Sequence, residues 1–192
     1  MTSPLLTDTA REQLAQLIRT RSYRSGTFTL ASGKTSTRYF DLKGTMMHPV
    51  GAASSARGML DLMRQLGCDH VTGLEMGAVP LIGAMAAMAD VEGMDISTSF
   101  VRKAQKEHGA QSKIDGFATG ETLEGRNVLA IDDVATSGGS VLKAALAVRE
   151  AGGIVEHAAV LVDRQEGGAE LLGEHGIALH SLFTADEIAG DA

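Results

Sequence analysis

The chain has 192 residues, with 17 Lys and Arg against 24 Asp and Glu, which gives a formal net charge of −7 at pH 7. This length predicts one domain, and 44% hydrophobic residues with 4% aromatics and no Trp favour a folded protein that is not a general nucleic-acid binder. The single Cys68 and the lack of any run of about 18 apolar residues predict a cytoplasmic protein without disulfides or membrane spans.

The first 45 residues predict a helix followed by a hairpin. Thr9 and Glu12 have the spacing of a capping box, and the apolar residues behind them recur on one helical face. Those apolar residues are Leu14, Leu17 and Ile18. Residues 28–30 and 39–42 are typical of two short strands, joined by the turn-rich segment 32–36.

From Pro49 onward, strand and helix patterns alternate. Pro49 is expected to begin a helix that Gly67 ends. The predicted strands are 70–73, 96–101, 128–131, 154–162 and 177–183, with helical segments at 80–89 and 141–151. This alternation predicts an α/β fold with a mostly parallel sheet flanked by helices, whose ligands bind beyond the carboxyl ends of the strands. The long polar segment 102–116 predicts a mobile functional loop.

A run of small polar residues follows the strand at 128–131. Asp132 and Asp133 come first, and a helix is expected directly after the run. The intervening residues are Val134, Ala135, Thr136, Ser137, Gly138, Gly139 and Ser140. Small residues let several backbone N–H groups point into one concavity at a helix N-terminus, which predicts a cradle for a phosphate monoester. The run lacks the lysine of a P-loop, and the chain lacks the glycine pattern of a dinucleotide fold.

Two interpretations of Asp132 and Asp133 remain open from the residues alone. Adjacent carboxylates beside a phosphate cradle can accept hydrogen bonds from the vicinal hydroxyls of a sugar, which indicates a ribose 5-phosphate. The same residues can equally cap the helix turn that follows them.

Four segments resemble known phosphoribosyltransferases. Residues 128–140, VLAIDDVATSGGS, resemble the phosphoribosyl pyrophosphate signature of the type I family. Residues 101–109, VRKAQKEHG, are similar to the catalytic loop of the orotate phosphoribosyltransferases. The basic positions of that loop are Arg102, Lys103, Lys106 and His108. Residues 28–44 are similar to the N-terminal substrate segment of the same family, and residues 163–166 match its D-R-Q-E element.

The resemblance implies a fold, a reaction and an assembly. The fold is the type I phosphoribosyltransferase fold as a single domain, 1–192, with a small N-terminal hood (1–45) and an α/β core (46–192). The reaction joins orotate to the ribose of phosphoribosyl pyrophosphate, giving orotidine 5′-monophosphate and pyrophosphate in pyrimidine biosynthesis. Mg²⁺ assists and is held by substrate oxygens and water, without a dedicated protein site. The protein is expected to be a homodimer, in which Arg102, Lys106 and His108 reach the partner's site while Lys103 serves its own.

The residue types suit these roles. Residues 102–113 hold four Lys or Arg and one acid, a local charge that can neutralise pyrophosphate; Arg102, Lys106 and His108 are the expected catalytic residues. Arg164 can grip the carboxylate that distinguishes orotate from uracil. A surface ion pair between Arg164 and Asp163 or Glu166 is the competing interpretation.

The orotate site is expected to include three further residues. Thr136 can add a hydrogen bond to the base. Tyr39 and Phe40 can form a wall for the pyrimidine ring, although the apolar face of a strand gives the same pattern.

Two departures and two alternatives accompany this resemblance. Many relatives carry Lys at the position of Ala31, and some carry another near Met76; Lys34 and Lys43 are the candidates to replace them. One alternative function is a phosphoribosyltransferase for another base, which Arg164 and residues 28–44 disfavour. The other is a regulator that senses phosphoribosyl pyrophosphate and binds nucleic acid, which the acidic charge disfavours.

Overall fold

The N-terminal helix and hairpin are present as expected. A computed structural model describes residues 3–29, 35–103 and 113–190. Helix α1 (Asp8–Arg21) leads into an antiparallel hairpin of β1 (Tyr23–Thr29) and β2 (Thr35–Phe40). Both strands begin earlier than predicted, so Thr35 and Ser36 of the predicted turn belong to β2. Residues 30–34, which include Lys34 and the predicted strand end at Leu30, lie outside the described residues.

The expected capping box of α1 is wrong by two residues. Thr7, with an extended backbone, is the N-cap, and its hydroxyl accepts a hydrogen bond from the Ala10 N–H at 3.3 Å. Thr9 therefore lies inside the helix. The apolar face is confirmed, since Leu14 and Ile18 are fully buried.

The core that follows alternates between helices and strands. Its elements are α2 (Lys43–Met46), α3 (Pro49–Leu66), β3 (His70–Gly73), α4 (Val79–Val91), β4 (Ser97–Thr98), β5 (Phe100–Val101), β6 (Ile114–Asp115), β7 (Asn127–Ala135), α5 (Gly139–Glu150), β8 (Ile154–Asp163), α6 (Gly168–Gly173), β9 (Ala178–Thr184) and α7 (Ala185–Ala189). Pro49 begins α3 and Gly67, at φ 67°, ends it, as predicted.

The central sheet has five strands in the order β4-β3-β7-β8-β9, and all four pairings are parallel. Alternate side chains of β7 enter two core layers. Leu129 and Ile131 pack with residues of α1, α3 and α4 on one face. Val128 and Ala130 pack with residues of α5 on the other. The sheet is thus buried on both faces, as its continuous apolar strands predict.

The predicted strand 96–101 is divided in two. β4 joins the central sheet, whereas β5 pairs antiparallel with β6 in a separate hairpin. Ser99 lies at the break, where its hydroxyl contacts the ring of buried His70 at 2.8 Å. Desolvation lowers the pKa of His70 to about 4, so the ring is neutral near pH 7. The segment predicted as one loop, 102–116, therefore contains a strand, and the backbone of Arg102 bonds that of Lys113 at its base.

The helices also bear on whether the chain crosses a membrane. Within the described ranges, the helices include none with the length and apolar character to cross a bilayer.

Close packing at the end of β3 predicts the effect of adding one methyl group. A Cβ on Gly73 would overlap Ala78 and the carbonyl of Ile131, because β3 lies directly against β7 there. We expect Gly73→Ala to lower the free energy of unfolding by about 3 kcal/mol. Urea denaturation followed by circular dichroism measures it.

Gly83→Ala is the matched control, since a Cβ added at this position of α4 would have no atom within 4 Å. That substitution should be neutral or stabilising, because Ala favours a helix interior by about 1 kcal/mol over Gly. Equal stability changes in the two variants would contradict the close packing at Gly73.

Candidate active site

Three adjoining cavities lie at the carboxyl ends of the strands, and Ser140 lines all of them. The acid cavity, about 240 Å³, holds Asp132 and Asp133. The loop cavity, about 290 Å³, is formed by the segment before α5 and the first turns of that helix. The lysine cavity, about 490 Å³, lies between α5 and the β5–β6 hairpin. The loops after β3, β5 and β7 contribute to these cavities, so the predicted edge of the sheet is confirmed.

The loop cavity is built around the open N-terminus of α5. Gly138 is the N-cap at φ 77°, and within the described ranges no side chain caps the helix. A Cβ at Gly138 would meet the backbone of Gly168 at 3.0 Å, so both the backbone angle and the packing require glycine. The first N–H groups of the helix and its positive dipole end face the cavity. This arrangement suits a phosphate group.

Most of the predicted cradle residues line this cavity. They are Val134, Thr136, Ser137, Gly138, Gly139 and Ser140. Ala135 instead is buried in β7. The strand extends to Ala135, four residues past its predicted end, because β7 stays paired with β8 as far as Asp163.

Asp132 and Asp133 consequently lie on the strand and not in the loop after it. Each accepts a hydrogen bond from the next backbone N–H: Asp133 N–H to Asp132 Oδ1 at 2.9 Å, and Val134 N–H to Asp133 Oδ1 at 3.0 Å. Neither caps α5, whose N-cap is Gly138, so the capping interpretation is wrong. Both carboxylates line the acid cavity, where they can accept further hydrogen bonds.

Burial gives Asp132 an unusual charge state. Its side chain is almost inaccessible, and desolvation together with the neighbouring Asp133 raises the pKa of Asp132 to about 8. Lys103 opposes this shift by favouring the charged form. The acid cavity therefore carries less negative charge near pH 7 than two fully ionised carboxylates would give it.

The loop after β3 forms the wall opposite the two acids. A Cβ on Gly77 would overlap Asp132 Oδ1 and lie 2.9 Å from Asp133 Oδ1, so only glycine fits this approach. Glu75, to which the sequence alone assigns no role, accepts a hydrogen bond from the Lys103 N–H at 2.8 Å. The β3 loop is thereby fastened to the segment that follows β5.

Cations from two segments reach the acid cavity. Lys43 lines it together with Lys103. A hydrogen bond from Lys43 to Asp41, supported by the charge of Asp133, raises the pKa of Lys43. Lys43, one of the two candidates to replace the lysines that relatives carry, thus lines the acid cavity. The other candidate, Lys34, lies outside the described residues.

The expected basic loop is described at its base. Arg102 lines the lysine cavity and pairs with Asp115 at 2.8 Å. Lys103 lines both this cavity and the acid cavity. Lys106 and His108 lie outside the described residues.

Arg164 follows directly after β8, as predicted. Its side chain is 6% exposed, and Nη2 donates to Glu166 Oε1 at 2.6 Å and to Ser36 Oγ at 2.9 Å. The competing ion-pair interpretation is therefore realised in the contact with Glu166. A guanidinium holds a carboxylate through Nη2 together with either Nε or Nη1, so a carboxylate bound at Arg164 would take the place of Glu166 at Nη2. Ser36 connects the hairpin to this arginine, a contact that sequence reasoning missed.

Tyr39 and Phe40, the predicted aromatic wall, lie on opposite faces of β2. Tyr39 is exposed and its ring lies 5.4 Å from that of Phe28. Phe40 faces the other side of β2, where it is buried in the core against Tyr23 at 5.1 Å. Because successive residues of a strand point to opposite faces, the two rings cannot form one wall, and the expectation for Phe40 is corrected.

The raised pKa of Asp132 predicts a pH-dependent stability. Native Asp132 binds its proton more tightly than the unfolded chain does, so the parent protein loses stability as pH rises from about 4 towards 8. Asp132→Asn removes this titration and keeps the acceptor for the Asp133 N–H. We expect the Tm of the variant to rise relative to that of the parent by about 3 °C or more from pH 5 to pH 8. This corresponds to a stability difference of about 1 kcal/mol.

Differential scanning calorimetry at four pH values measures this difference. Asp95→Asn, at an exposed position before β4, is the control for loss of one carboxylate. A Tm difference for Asp132→Asn that stays constant with pH would show that the acid is ionised throughout.

Similarity to known proteins covers nearly the whole chain. The phosphoribosyl transferase domain family matches residues 52–173. An orotate phosphoribosyltransferase of Rhodopseudomonas palustris (strain BisB18) is 46% identical over 178 residues, covering 93% of this chain and 95% of that protein. The Mycobacterium tuberculosis H37Rv orotate phosphoribosyltransferase in complex with Fe(III) dicitrate has a TM-score of 0.79 at 33% identity, covering 94% of this chain and 99% of that one.

A second crystal structure of the M. tuberculosis enzyme contains 5-phospho-alpha-D-ribosyl 1-diphosphate. Its TM-score is 0.76 at 30% identity, and it covers 94% of this chain and 99% of that chain. The likeness therefore includes the hairpin as well as the central sheet.

Proposed function

The chain belongs to the orotate phosphoribosyltransferase family and has the type I phosphoribosyltransferase fold, and on that basis we propose that it transfers ribose 5-phosphate from phosphoribosyl pyrophosphate to orotate. The products are orotidine 5′-monophosphate and pyrophosphate, in the de novo synthesis of UMP. The observation that carries the proposal is the acid cavity beside the open N-terminus of α5, which suits a sugar next to its own phosphate.

A spectrophotometric assay with phosphoribosyl pyrophosphate and Mg²⁺ tests this proposal. Orotate, uracil, adenine and xanthine are offered separately, and turnover is expected with orotate. Turnover with a purine instead would make the chain a phosphoribosyltransferase for that base. Tight binding of phosphoribosyl pyrophosphate without turnover of any base would make it a sensor.

The proposed sugar position spans two cavities. The 5-phosphate occupies the loop cavity, held by N–H groups and hydroxyls of the segment 134–140. Asp132 and Asp133 accept hydrogen bonds from the 2- and 3-hydroxyls in the acid cavity. The anomeric carbon then lies towards the β3 loop and the cations Lys43 and Lys103.

The displacement creates positive charge on the sugar and negative charge on the departing pyrophosphate. The bond from the anomeric carbon to pyrophosphate breaks as a ring nitrogen of orotate bonds to that carbon, and the proton of that ring N–H leaves to pyrophosphate or water. Arg102, Lys103, Lys106 and His108 neutralise the leaving group in this proposal, with Arg102, Lys106 and His108 in the catalytic role. Segment 102–116 excludes water, which would otherwise hydrolyse the activated sugar.

We propose that no site made by the protein alone holds Mg²⁺. Among the described residues, no cluster of three or more His, Cys, Asp or Glu could hold a metal ion. The proposed ligands are substrate oxygens and water, which agrees with the reluctance of Mg²⁺ to lose its hydration shell. When bound, Mg²⁺ supplies positive charge to the pyrophosphate.

Orotate is proposed to lie near the end of β8 and the hairpin. Arg164 binds its carboxylate through Nη2 and one neighbouring nitrogen, displacing Glu166, while the contact with Ser36 fixes the guanidinium. Thr136 adds a hydrogen bond to the base. Tyr39 is the remaining candidate for an aromatic contact, given the burial of Phe40.

The role of Arg164 predicts a selective loss. Arg164→Gln should lower kcat/KM for orotate about 100-fold, because a charge-assisted bond contributes about 1.5–3 kcal/mol. Any slow reaction with uracil, which lacks the carboxylate, should change little. Ser36→Ala keeps the charge and serves as the matched control, with a smaller loss expected. Equal losses for orotate and uracil would contradict carboxylate recognition.

The role of Lys106 predicts a loss of turnover. Lys106→Ala should lower kcat about 100-fold or more while KM for orotate changes little, since the lost charge stabilises the departing pyrophosphate. Steady-state kinetics with both substrates measures this, with Lys106→Arg as the variant that keeps the charge. Loss of orotate affinity with turnover retained would refute the role.

We also propose a homodimer in which Arg102, Lys106 and His108 enter the partner's site and Lys103 its own. Exposed Met47 and Val50, close together at the start of α3, support a subunit contact. Coexpressed Lys106→Ala and Arg164→Gln subunits should then recover roughly a quarter of parental activity, because half of the dimers contain one intact site. No recovery in a confirmed mixed dimer would place the loop in its own subunit's site.

The remaining proposals concern organisation and location. We propose a single domain, 1–192, in which the hood (1–45) covers the core (46–192). A cytoplasmic location is supported by the lone Cys68, whose burial raises the pKa of its thiol to about 11 and leaves it unreactive.

A further inference from the structure

The loop cavity has one charged lining side chain among the described residues, that of Lys143. The described part of the chain places no carboxylate in the lining of this cavity, in contrast to the two adjoining ones. A P-loop carries a lysine directly before its final serine. Ser140 would be that serine here, but the residue before it is not a lysine. Lys143 comes three residues after that serine, and neither the motifs nor the proposed reaction give it a role.

Helix geometry directs Lys143 towards the cradle. Residues three and four apart lie on one face of a helix, so Lys143 stands above Ser140 and Gly139. Side chains on a helix lean towards its N-terminus. The ammonium group of Lys143 is therefore carried towards the first turn of α5, where the free N–H groups are.

Lys143 is exposed, and its charge is uncompensated, unlike the charges of three neighbouring cations. Arg102 pairs with Asp115 at 2.8 Å, and Lys113 lies 3.7 Å from Glu150. Lys43 pairs with Asp41 at 3.0 Å. In the described parts of the chain, Lys143 has neither a hydrogen-bond partner nor an ion-pair partner. A free ammonium beside an open helix N-terminus concentrates positive charge in a cavity of about 290 Å³.

We propose that Lys143 binds the 5-phosphate of the ribose substrate, adding a side-chain cation to a cradle otherwise made of backbone N–H groups and hydroxyls. This inference rests on the proposed function, because it assumes that a ribose 5-phosphate occupies the loop cavity. The phosphate is remote from the anomeric carbon and keeps its charge throughout the reaction. Lys143 therefore stabilises the bound substrate and the transition state equally, which lowers KM for phosphoribosyl pyrophosphate without changing kcat.

Isothermal titration calorimetry with ribose 5-phosphate tests the contact directly. Lys143→Met keeps the length of the side chain and removes its charge; we expect Kd to rise about tenfold, as for loss of one charge-assisted hydrogen bond. Lys143→Arg should bind within about threefold of the parent. Gln16→Glu, exposed on α1, changes the net charge by the same amount and should have no effect.

Pyrophosphate is the second probe, because Lys143 also borders the lysine cavity. Its Kd should be the same in Lys143→Met and in the parent. The inference is overturned if Lys143→Met binds ribose 5-phosphate as the parent does, or if pyrophosphate binding is the one weakened. The latter result would assign Lys143 to the leaving group.

Kinetics separates this inference from the proposed function. If the parent turns over orotate, Lys143→Met should show about a tenfold higher KM for phosphoribosyl pyrophosphate with kcat and KM for orotate unchanged. An unchanged KM would defeat the role of Lys143 alone. A parent that binds ribose 5-phosphate but turns over no base would defeat the proposed function, and the effect of Lys143→Met on binding would still decide the inference.

Discussion

The close approach of the Gly77 backbone to the carboxylates of Asp132 and Asp133 is the contact on which the site depends. A side chain at Gly77 would occupy the space of the acids, and a side chain at Gly73 would separate β3 from β7. Glycine at positions 73 and 77 therefore allows β3 and the loop after it to pack closely around the two carboxylates. Their burial makes full ionisation unfavourable, as the raised pKa of Asp132 reflects. A ligand that donates hydrogen bonds, or brings positive charge, stabilises this arrangement.

The acid pair and the α5 N-terminus have opposite electrostatic character within one short stretch of chain. Residues 132–133 offer acceptors, and residues 138–140 offer donors at the positive end of a helix. A neutral polyol with a terminal phosphate matches this order, because its hydroxyls meet the acids and its anion meets the helix. Of the remaining cations, Lys43 and Lys103 line the acid cavity, and Arg102 lines the lysine cavity. Charge separation along the site thus gives a sugar phosphate one direction of binding.

Sequence patterns confined to a few residues predicted the helices and strands in which they occur. Pro49 and Gly67 bound α3 because their effects are confined to a few backbone angles. The end of β7 could not be predicted in this way, since Asp132 and Asp133 are poor strand formers that remain in the strand through pairing with β8. Helices α2, α6 and α7, of four to six residues, are too short to show an apolar period.

Contacts between distant segments explain most of what the sequence left undetermined in the site. The Ser36–Arg164 hydrogen bond joins residues 128 positions apart, and no local pattern announces it. The opposite directions of Tyr39 and Phe40 follow from strand geometry, but which of them enters the core depends on Tyr23 and the helices beneath. No motif assigns a role to Lys143, because the P-loop pattern has its lysine before the serine. The spacing of three residues from Ser140, which places both on one helical face, is the pattern that indicates it.

The central claim is that Asp132 and Asp133 recognise vicinal hydroxyls next to a bound phosphate. Calorimetric titration with ribose 5-phosphate and 2-deoxyribose 5-phosphate tests it most directly, because the two ligands share the phosphate and differ in one hydroxyl. Hydroxyl recognition predicts about tenfold weaker binding of the deoxy sugar to the parent protein, and a smaller difference in Asp133→Asn. Equal binding of both sugars by the parent would contradict hydroxyl recognition and leave only a phosphate site.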